Sequence, residues 1–252
     1  PVIVVAKLYL IPDDTDTLPA RHPLEVAQDA IHRTVERGVP SIADHAHAQK
    51  VCAMGRRFME IKARYPKIGR YIPVYHPDLQ GPMDVCELLW GTDIFTDLFD
   101  VPELVHACLQ LVTDVYIQYL RLWTTICPFS ADGFGYHWGL LHKGHIMLRD
   151  DSAMNLSPDM FREFIHPYDQ RLLTEFGGGA IHACGRVDHF APLLPEFTGL
   201  YAFNLSQPHL NNMETIYQST IDRGIQLIGF TSLAAYQSAL AAGRNLHGRV
   251  QN

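Results

Sequence analysis

The chain has 252 residues, a net charge of −7 with histidine neutral, and 47% hydrophobic and 19% charged residues. These values are typical of a globular protein and indicate no basic surface for nucleic acid or anionic lipid. The five scattered cysteines form no CxxC pair, and no apolar run reaches the roughly 18 residues of a membrane span, so we expect a cytoplasmic protein with reduced thiols.

The predicted elements alternate between strands and helices along most of the chain. The first 70 residues are irregular, with a loop at 11–23 and one predicted helix within 43–66. Beyond them, short apolar runs alternate with stretches whose apolar residues recur at helical spacing. Strands are predicted at 71–75, 145–149, 179–184, 200–205 and 225–230. Helices are predicted at 82–90, 101–123, from 158 after the capping residue Ser157, and at 187–194, 213–222 and 234–242.

Five βα units in a row predict a parallel sheet with helices outside it. No repeat or clear linker interrupts the chain. We therefore expect a single α/β domain over 1–252, with an irregular or helical part at 1–70 and βα repeats at 71–242. The chain starts with Pro1 rather than Met, which suggests a processed or truncated protein.

His182 and Cys184 follow an apolar run at the end of a predicted strand. Residues i and i+2 of a strand face the same side, so both side chains could enter one site at the carboxyl edge of the sheet. An imidazole and a thiolate together suit zinc better than magnesium or calcium. The alternative is a buried cysteine beside a hydrogen-bonded histidine.

Asp150 and Asp151 stand at the end of another predicted strand. Neighbouring strand residues face opposite sides, so at most one of the two carboxylates points toward the same site. That carboxylate could act as a general base, bind a substrate cation or ligate a metal. Alternatively, both belong to the turn before the next helix.

Further candidates for binding a substrate come from loops and strand ends. His76, Asp78 and Gln80 follow the strand predicted at 71–75, where they contact a ligand or only begin the next helix. Tyr136 lies in a glycine- and histidine-rich segment, 133–145, which could line a pocket for a flat aromatic substrate or form a mobile loop over the site. Its His137, His142 or His145 could also bind a metal, although their spacing matches no metal motif. Asn204 lies near the end of the strand at 200–205.

Four segments in this order resemble the uroporphyrinogen decarboxylase superfamily, which includes zinc-dependent cobamide:thiol methyltransferases. They are HPDLQGPMDVCELLWG, LRDDSAMNLSPDMFREFIHPYDQRLL, AIHACGRVDHFAPLLPEF and AFNLSQPHLNNMETI. The resemblance covers roughly residues 70–230 and implies a TIM (β/α)8 barrel.

The two branches of that superfamily imply different chemistry. The methyltransferase branch implies that His182 and Cys184 bind zinc, which activates an acceptor thiol for attack on the methyl group of a corrinoid. That branch supplies a later cysteine as third ligand; no cysteine follows Cys184 here, and His247 is the candidate to replace it. The decarboxylase branch implies no cofactor, arginines near the amino terminus and an aspartate facing the substrate.

We therefore predict a zinc-dependent methyltransferase that moves a methyl group between a corrinoid carrier and a thiol-type acceptor. Asp150 or Asp151 is the expected catalytic carboxylate. The alternatives are uroporphyrinogen decarboxylation and a non-catalytic barrel that binds a corrinoid or tetrapyrrole. The expected partners are a small molecule or a corrinoid protein, with no nucleic acid and no membrane, and a homodimer is compatible with the sequence.

Overall fold

The computed structural model describes residues 8–9, 20–21, 27–230 and 232–251. Its first elements are two paired antiparallel segments, β1 (Leu8–Tyr9) and β2 (Ala20–Arg21), so most of the loop predicted at 11–23 lies outside the described residues. Three helices follow, and α2 confirms the helix predicted within 43–66. They are α1 (Ala27–Arg37), α2 (Ala46–Arg64) and α3 (Pro66–Tyr71).

The next helices confirm the two predicted in this part of the chain. α4 (Pro82–Trp90) begins with proline and ends at Gly91, whose φ of +81° suits a residue without a side chain. After α5 (Ile94–Asp100), the long α6 (Pro102–Thr124) buries one apolar face in the core.

Four parallel strands form the sheet that carries the polar strand ends. They lie side by side in sequence order: β5 (Ile146–Arg149), β6 (Gly179–Ala183), β7 (Leu200–Leu205) and β8 (Gln226–Ile228). The connections contain α7 (Pro158–Phe164), α8 (His166–Glu175), a 3₁₀ turn (Ala191–Glu196) and α9 (Met213–Ser219). A final helix, α10 (Leu233–Ala241), follows β8. The carboxyl ends of all four strands therefore meet at one edge.

The helix predicted from 158 is two helices. Ser157 caps α7 as expected, accepting a hydrogen bond from the backbone N–H of Met160 at 3.2 Å. The helical hydrogen bonding is interrupted at Ile165, between the end of α7 and the start of α8, which has a proline in its first turn. Proline lacks the N–H that a continuous helix would need at this point.

Alternation along the strands separates the two faces of the sheet. Leu148, Ile181, Phe203 and Leu227 join the main core beneath the helices. Met147, Ala180, Ala202 and Ile228 face the other way and form a small cluster of their own. We call the face formed by this second set the inner face. Residues two positions further along each strand face the same side, so the polar ones among them lie at the edge of the inner face.

A β-hairpin covers this inner face where the sequence predicted a mobile loop. β3 (Phe134–His137) pairs antiparallel with β4 (Leu140–Lys143), and Leu140 packs against the cluster on the inner face. The two-residue turn between the strands has positive φ at both Trp138 (+49°) and Gly139 (+84°), as type I′ hairpin turns require.

Two expectations about the sheet need correction. Residues 72–81 form no strand; their segment makes one backbone hydrogen bond to β5, from Gly81 N–H to Arg149 O at 2.8 Å. Pro73 and Pro77 lack the N–H groups that a ladder uses. The described residues thus contain a parallel sheet of four strands, not five, and this sheet is open. The α/β class and the parallel sheet are confirmed, but the closed eight-stranded barrel is not.

No helix among the described residues combines the length and apolar character needed to cross a bilayer.

Candidate metal centre

Three neighbouring strands each continue their inner face into polar residues. Arg149 and Asp151 continue the face of β5, His182 and Cys184 that of β6, and Asn204 and Ser206 that of β7. The register places Arg149 beside His182 and His182 beside Asn204. A period of two residues and a parallel register are therefore enough to bring these side chains together.

Asp151, His182 and Cys184 form the centre of this group. Their potential ligand atoms all lie within 4.8 Å of one another. His182 Nε2 is 3.3 Å from Cys184 Sγ and 3.4 Å from Asp151 Oδ1. Among the residues that the structure describes, this is the one group of three or more histidine, cysteine or acidic side chains close enough to share a metal ion.

Asn204 determines which ring nitrogen of His182 carries the proton. Its Nδ2 donates to Ile228 O at 2.7 Å, so its Oδ1 is the atom that faces His182 Nδ1 at 2.5 Å. An amide oxygen accepts only, so His182 Nδ1 carries the proton and Nε2 presents a lone pair to the centre. Gly229 allows this arrangement, because a Cβ there would lie 2.4 Å from Asn204 Nδ2.

Burial and hydrogen bonding set the charges of the other two residues. Burial raises the pKa of Asp151, but its contacts with His182 and Cys184 outweigh burial, so the pKa lies below its usual value. The backbone N–H of Cys184 donates a hydrogen bond to Asp151 Oδ1 at 3.0 Å. Burial and the nearby carboxylate raise the pKa of the Cys184 thiol. A cation in the centre would favour its thiolate.

The group fits a zinc ion in donor type and spacing. Zinc bonds of about 2.0 Å to N and O and about 2.3 Å to S, at tetrahedral angles, put N and S about 3.5 Å apart and N and O about 3.3 Å apart. The observed separations are 3.3 and 3.4 Å. Catalytic zinc sites commonly use three protein ligands and keep a fourth position for water or substrate.

Trp138 and Arg149 lie beside the centre. The Trp138 indole and the His182 ring meet edge to face, with 5.1 Å between centroids, and the Arg149 guanidinium lies 4.5 Å over the indole. Asp78 pairs with Arg149 and accepts a weak hydrogen bond from Trp138 Nε1 at 3.4 Å. Gln80 accepts from Arg149 at 3.1 Å when its amide is oriented to suit its neighbours.

Asp84 holds the loop that presents Asp151. It accepts hydrogen bonds from the backbone N–H groups of Asp151, at 3.0 Å, and Ser152, at 2.8 Å. Burial raises the pKa of Asp84 to about 6, although these bonds oppose the shift.

Asp150 and Asp151 separate as strand alternation predicts, and only Asp151 reaches the centre. Asp150 is fully buried on the opposite face, within hydrogen-bonding reach of Asp169 and near Tyr116. Burial and the neighbouring carboxyl group raise the pKa of Asp150 well above its usual value, and burial raises the pKa of Asp169 to about 7. Asp150 is thus out of reach of a ligand at the centre.

The remaining predicted residues lie outside this group. His247 stands after α10, with Nε2 3.7 Å from Asp222 Oδ1, so Asp151 rather than His247 completes the set of three. His76 is buried among other histidines, and its ring nitrogens already contact Pro77 O and His137. Tyr136 borders a separate cavity of about 430 Å³ beneath residues 69–76.

Sequence reasoning missed three residues of the site: Trp138, Arg149 and Ser206. Ser206 Oγ lies 3.5 Å from Cys184 Sγ, and its position follows from the register that pairs Ala183 with Leu205. Arg149 precedes the aspartate pair on the same strand, so alternation could have identified it. Nothing in the sequence indicated that the hairpin turn would place Trp138 against His182.

The chain matches no protein-family model, and no curated protein matches it. Its fold is similar to that of a methyltransferase from Methanosarcina mazei, with a TM-score of 0.66 and 15% sequence identity. The similarity covers 99% of this chain and 69% of that one. At this identity the similarity shows a shared fold.

Proposed function

We propose that this protein is a zinc-dependent methyltransferase that transfers a methyl group between a corrinoid carrier and a thiol-type acceptor. The observation that carries the proposal is the convergence of Asp151, His182 and Cys184 at the carboxyl edge of the sheet. The fold similarity to a methyltransferase and the resemblance of the strand-end motifs support it.

Asp151, His182 and Cys184 would hold the zinc ion, which acts as a Lewis acid and lowers the pKa of a bound thiol. Asn204 keeps the lone pair of His182 Nε2 available, and the Ser206 hydroxyl can donate to a sulfur at the centre. Trp138 covers one side of His182. These residues therefore favour a thiolate as nucleophile.

The arginine beside the centre favours this proposal over decarboxylation of a tetrapyrrole. A substrate with several carboxylates needs unpaired cations. Arg149 is already paired with Asp78, and its pKa is lowered by burial. The corrinoid donor, the partner protein, a homodimer and a cytoplasmic location stay predictions. A complete barrel is also proposed, because four parallel strands in sequence order are what a segment of a barrel wall would contain.

Zinc binding tests the proposal directly. Equilibrium dialysis of the metal-free protein should give about one zinc per chain. Loss of a ligand in Asp151→Asn, His182→Gln or Cys184→Ser should weaken binding by more than the roughly 10–100-fold typical of an outer-shell change. Asp159→Asn and His209→Gln, which alter exposed residues, serve as matched controls and should bind like the wild type.

Activity is measured as loss of the methyl–cobalt absorbance of methylcobalamin in the presence of small thiols. We expect turnover only in the zinc-loaded protein. A wild-type protein that binds no zinc, or ligand variants that bind as well as the controls, would overturn the proposed function.

A further inference from the structure

Three buried histidines form a continuous hydrogen-bonded chain beside the centre. His76 Nε2 lies 2.7 Å from His137 Nε2, and His137 Nδ1 lies 2.8 Å from His142 Nε2. The ends of the chain contact backbone carbonyls: His76 Nδ1 is 2.7 Å from Pro77 O, and His142 Nδ1 is 3.0 Å from Lys143 O. We call His76, His137 and His142 the histidine chain.

The histidine chain has one proton fewer than its contacts require. Carbonyl oxygens only accept, so the two end nitrogens carry protons and His76 Nε2 and His142 Nε2 present lone pairs. Both lone pairs face His137, which has a single N–H when neutral. One of the four contacts therefore joins two nitrogens with no proton between them, which weakens the chain.

The surroundings of the histidine chain disfavour an added proton. Burial lowers the pKa of His76 to about 4 and that of His137 to about 2, and it also lowers the pKa of His142. Arg149 faces His76, His145 faces His142, and the Tyr75 ring packs against His137. Within the described part of the protein, no carboxylate contributes to these pKa changes. A proton added to His137 would complete the fourth contact, but the resulting imidazolium would be buried without a counter-charge. The cost of that buried charge exceeds the gain of one hydrogen bond, so protonation favours the open hairpin.

The histidine chain connects the hairpin to the rest of the domain. His137 and His142 belong to β3 and β4, whereas His76 lies on the segment beside β5, where the N–H of Met147 approaches its Nε2 at 3.5 Å. Trp138 directly follows His137 and contacts His182. The contacts that hold the hairpin therefore also hold the indole against the centre.

We propose that the β3–β4 hairpin is an acid-released cover of the metal centre and that the histidine chain is the contact that protons break. This inference rests on the proposed function for the role of the centre. In an open hairpin the histidines meet water and regain a pKa near 6.5. Opening of the hairpin is then accompanied by proton uptake. Below pH 6.5, the fraction of molecules with an open hairpin should therefore rise about tenfold per pH unit for each proton bound.

Acrylamide quenching of tryptophan fluorescence in the metal-free protein measures the opening. Trp90 and Trp123 are buried, and Trp138 is 38% exposed, so full exposure should raise its quenching about two- to threefold. We expect this rise between about pH 6.5 and 4.5, with unchanged far-ultraviolet circular dichroism. Trp138→Phe should remove the pH-dependent signal.

Two variants test the histidine chain itself. His137→Phe keeps an aromatic ring but breaks the chain, so quenching should become nearly independent of pH. His209→Phe, at an exposed histidine, should retain the wild-type profile. Flat wild-type quenching, or quenching that rises only as circular dichroism is lost, overturns the inference even if His137→Phe fails to fold. Because no metal is present, a failure of zinc binding leaves this result unaffected.

Discussion

Asn204 is a residue whose two amide atoms have different tasks. Its nitrogen is held by a carbonyl of β8, and its oxygen sets the tautomer of His182. Outer-shell partners of this kind orient a ligand and raise its basicity. Asn204, predicted to bind substrate, is placed by the structure against His182, a candidate metal ligand.

Replacing Asn204 by Leu should weaken zinc binding about 10–100-fold, because His182 loses the acceptor that keeps Nε2 unprotonated. Asn204→Asp retains an oxygen for His182 Nδ1 but sets its other oxygen against Ile228 O, so it should recover only part of the affinity. Competition with a chromophoric chelator measures both variants. Equal affinity of Asn204→Leu and the wild type would remove Asn204 from the site.

The sequence predicted part of the site because strand alternation is local. The pairing of His182 with Cys184, and the entry of only one aspartate, followed from the two-residue period. Asp151 was a candidate for the site, but its contact with His182 could not be predicted, since it depends on which strand lies next to β6. His247 was predicted from its residue type alone, and the structure places it beside Asp222.

At the scale of elements, long helices and uninterrupted strands were predicted well. α4, α6 and β7 agree with the sequence pattern within about a residue. The strand expected at 71–75 failed because two nearby prolines limit the ladder. The hairpin was missed because its paired residues include a glycine and two histidines, with little of the apolar alternation that indicates a strand.

Packing of α2 against α6 depends on a glycine. A Cβ at Gly55 would lie 2.7 Å from the buried ring of Trp123. Gly55→Ala should destabilise the protein by up to about 2 kcal/mol, because overpacking costs about 1–3 kcal/mol and helix propensity returns about 1 kcal/mol. Urea denaturation measures the change.

The double variant with Trp123→Leu isolates the clash at Gly55. In the Trp123→Leu background, Gly55→Ala should be neutral or stabilising, because the ring that it would strike is gone. An equal loss in both backgrounds would mean that the backbone conformation at Gly55, rather than Trp123, requires glycine.

For the whole molecule, buried acids and buried histidines act on stability in opposite directions. Asp84 and Asp169 titrate near 6 and 7 in the folded protein against 3.8 when unfolded, so their contribution falls as pH rises through this range. His76 and His137 titrate below their unfolded value of 6.5, so their contribution falls as pH decreases from 6.5.

Asp169→Asn should therefore change the pH profile of stability. Between about pH 5 and 6.5 the wild type should vary little, whereas the free energy of unfolding of the variant should increase with pH. At pH 8 the variant should be the more stable protein, since a tenfold weaker acid in the folded state corresponds to about 1.4 kcal/mol. Denaturation at several pH values measures this, with the exposed Asp159→Asn as control. Parallel profiles would contradict it.

The ligands of the proposed centre come from the ends of two adjacent strands, β5 and β6. Asn204, which orients His182, lies on the next strand, β7, and its side-chain nitrogen donates to Ile228 O of β8. Asp151 and Cys184 lie within two residues of the ends of β5 and β6, and Asp84 holds the loop that carries Asp151. The spacing of the ligands therefore follows mainly from the distance and stagger between the two strands. An ion bound there would cross-link β5 and β6, because sliding one strand along the other would pull Asp151 away from His182. Metal binding would then stabilise the alignment of the two strands, and loss of that alignment would weaken metal binding.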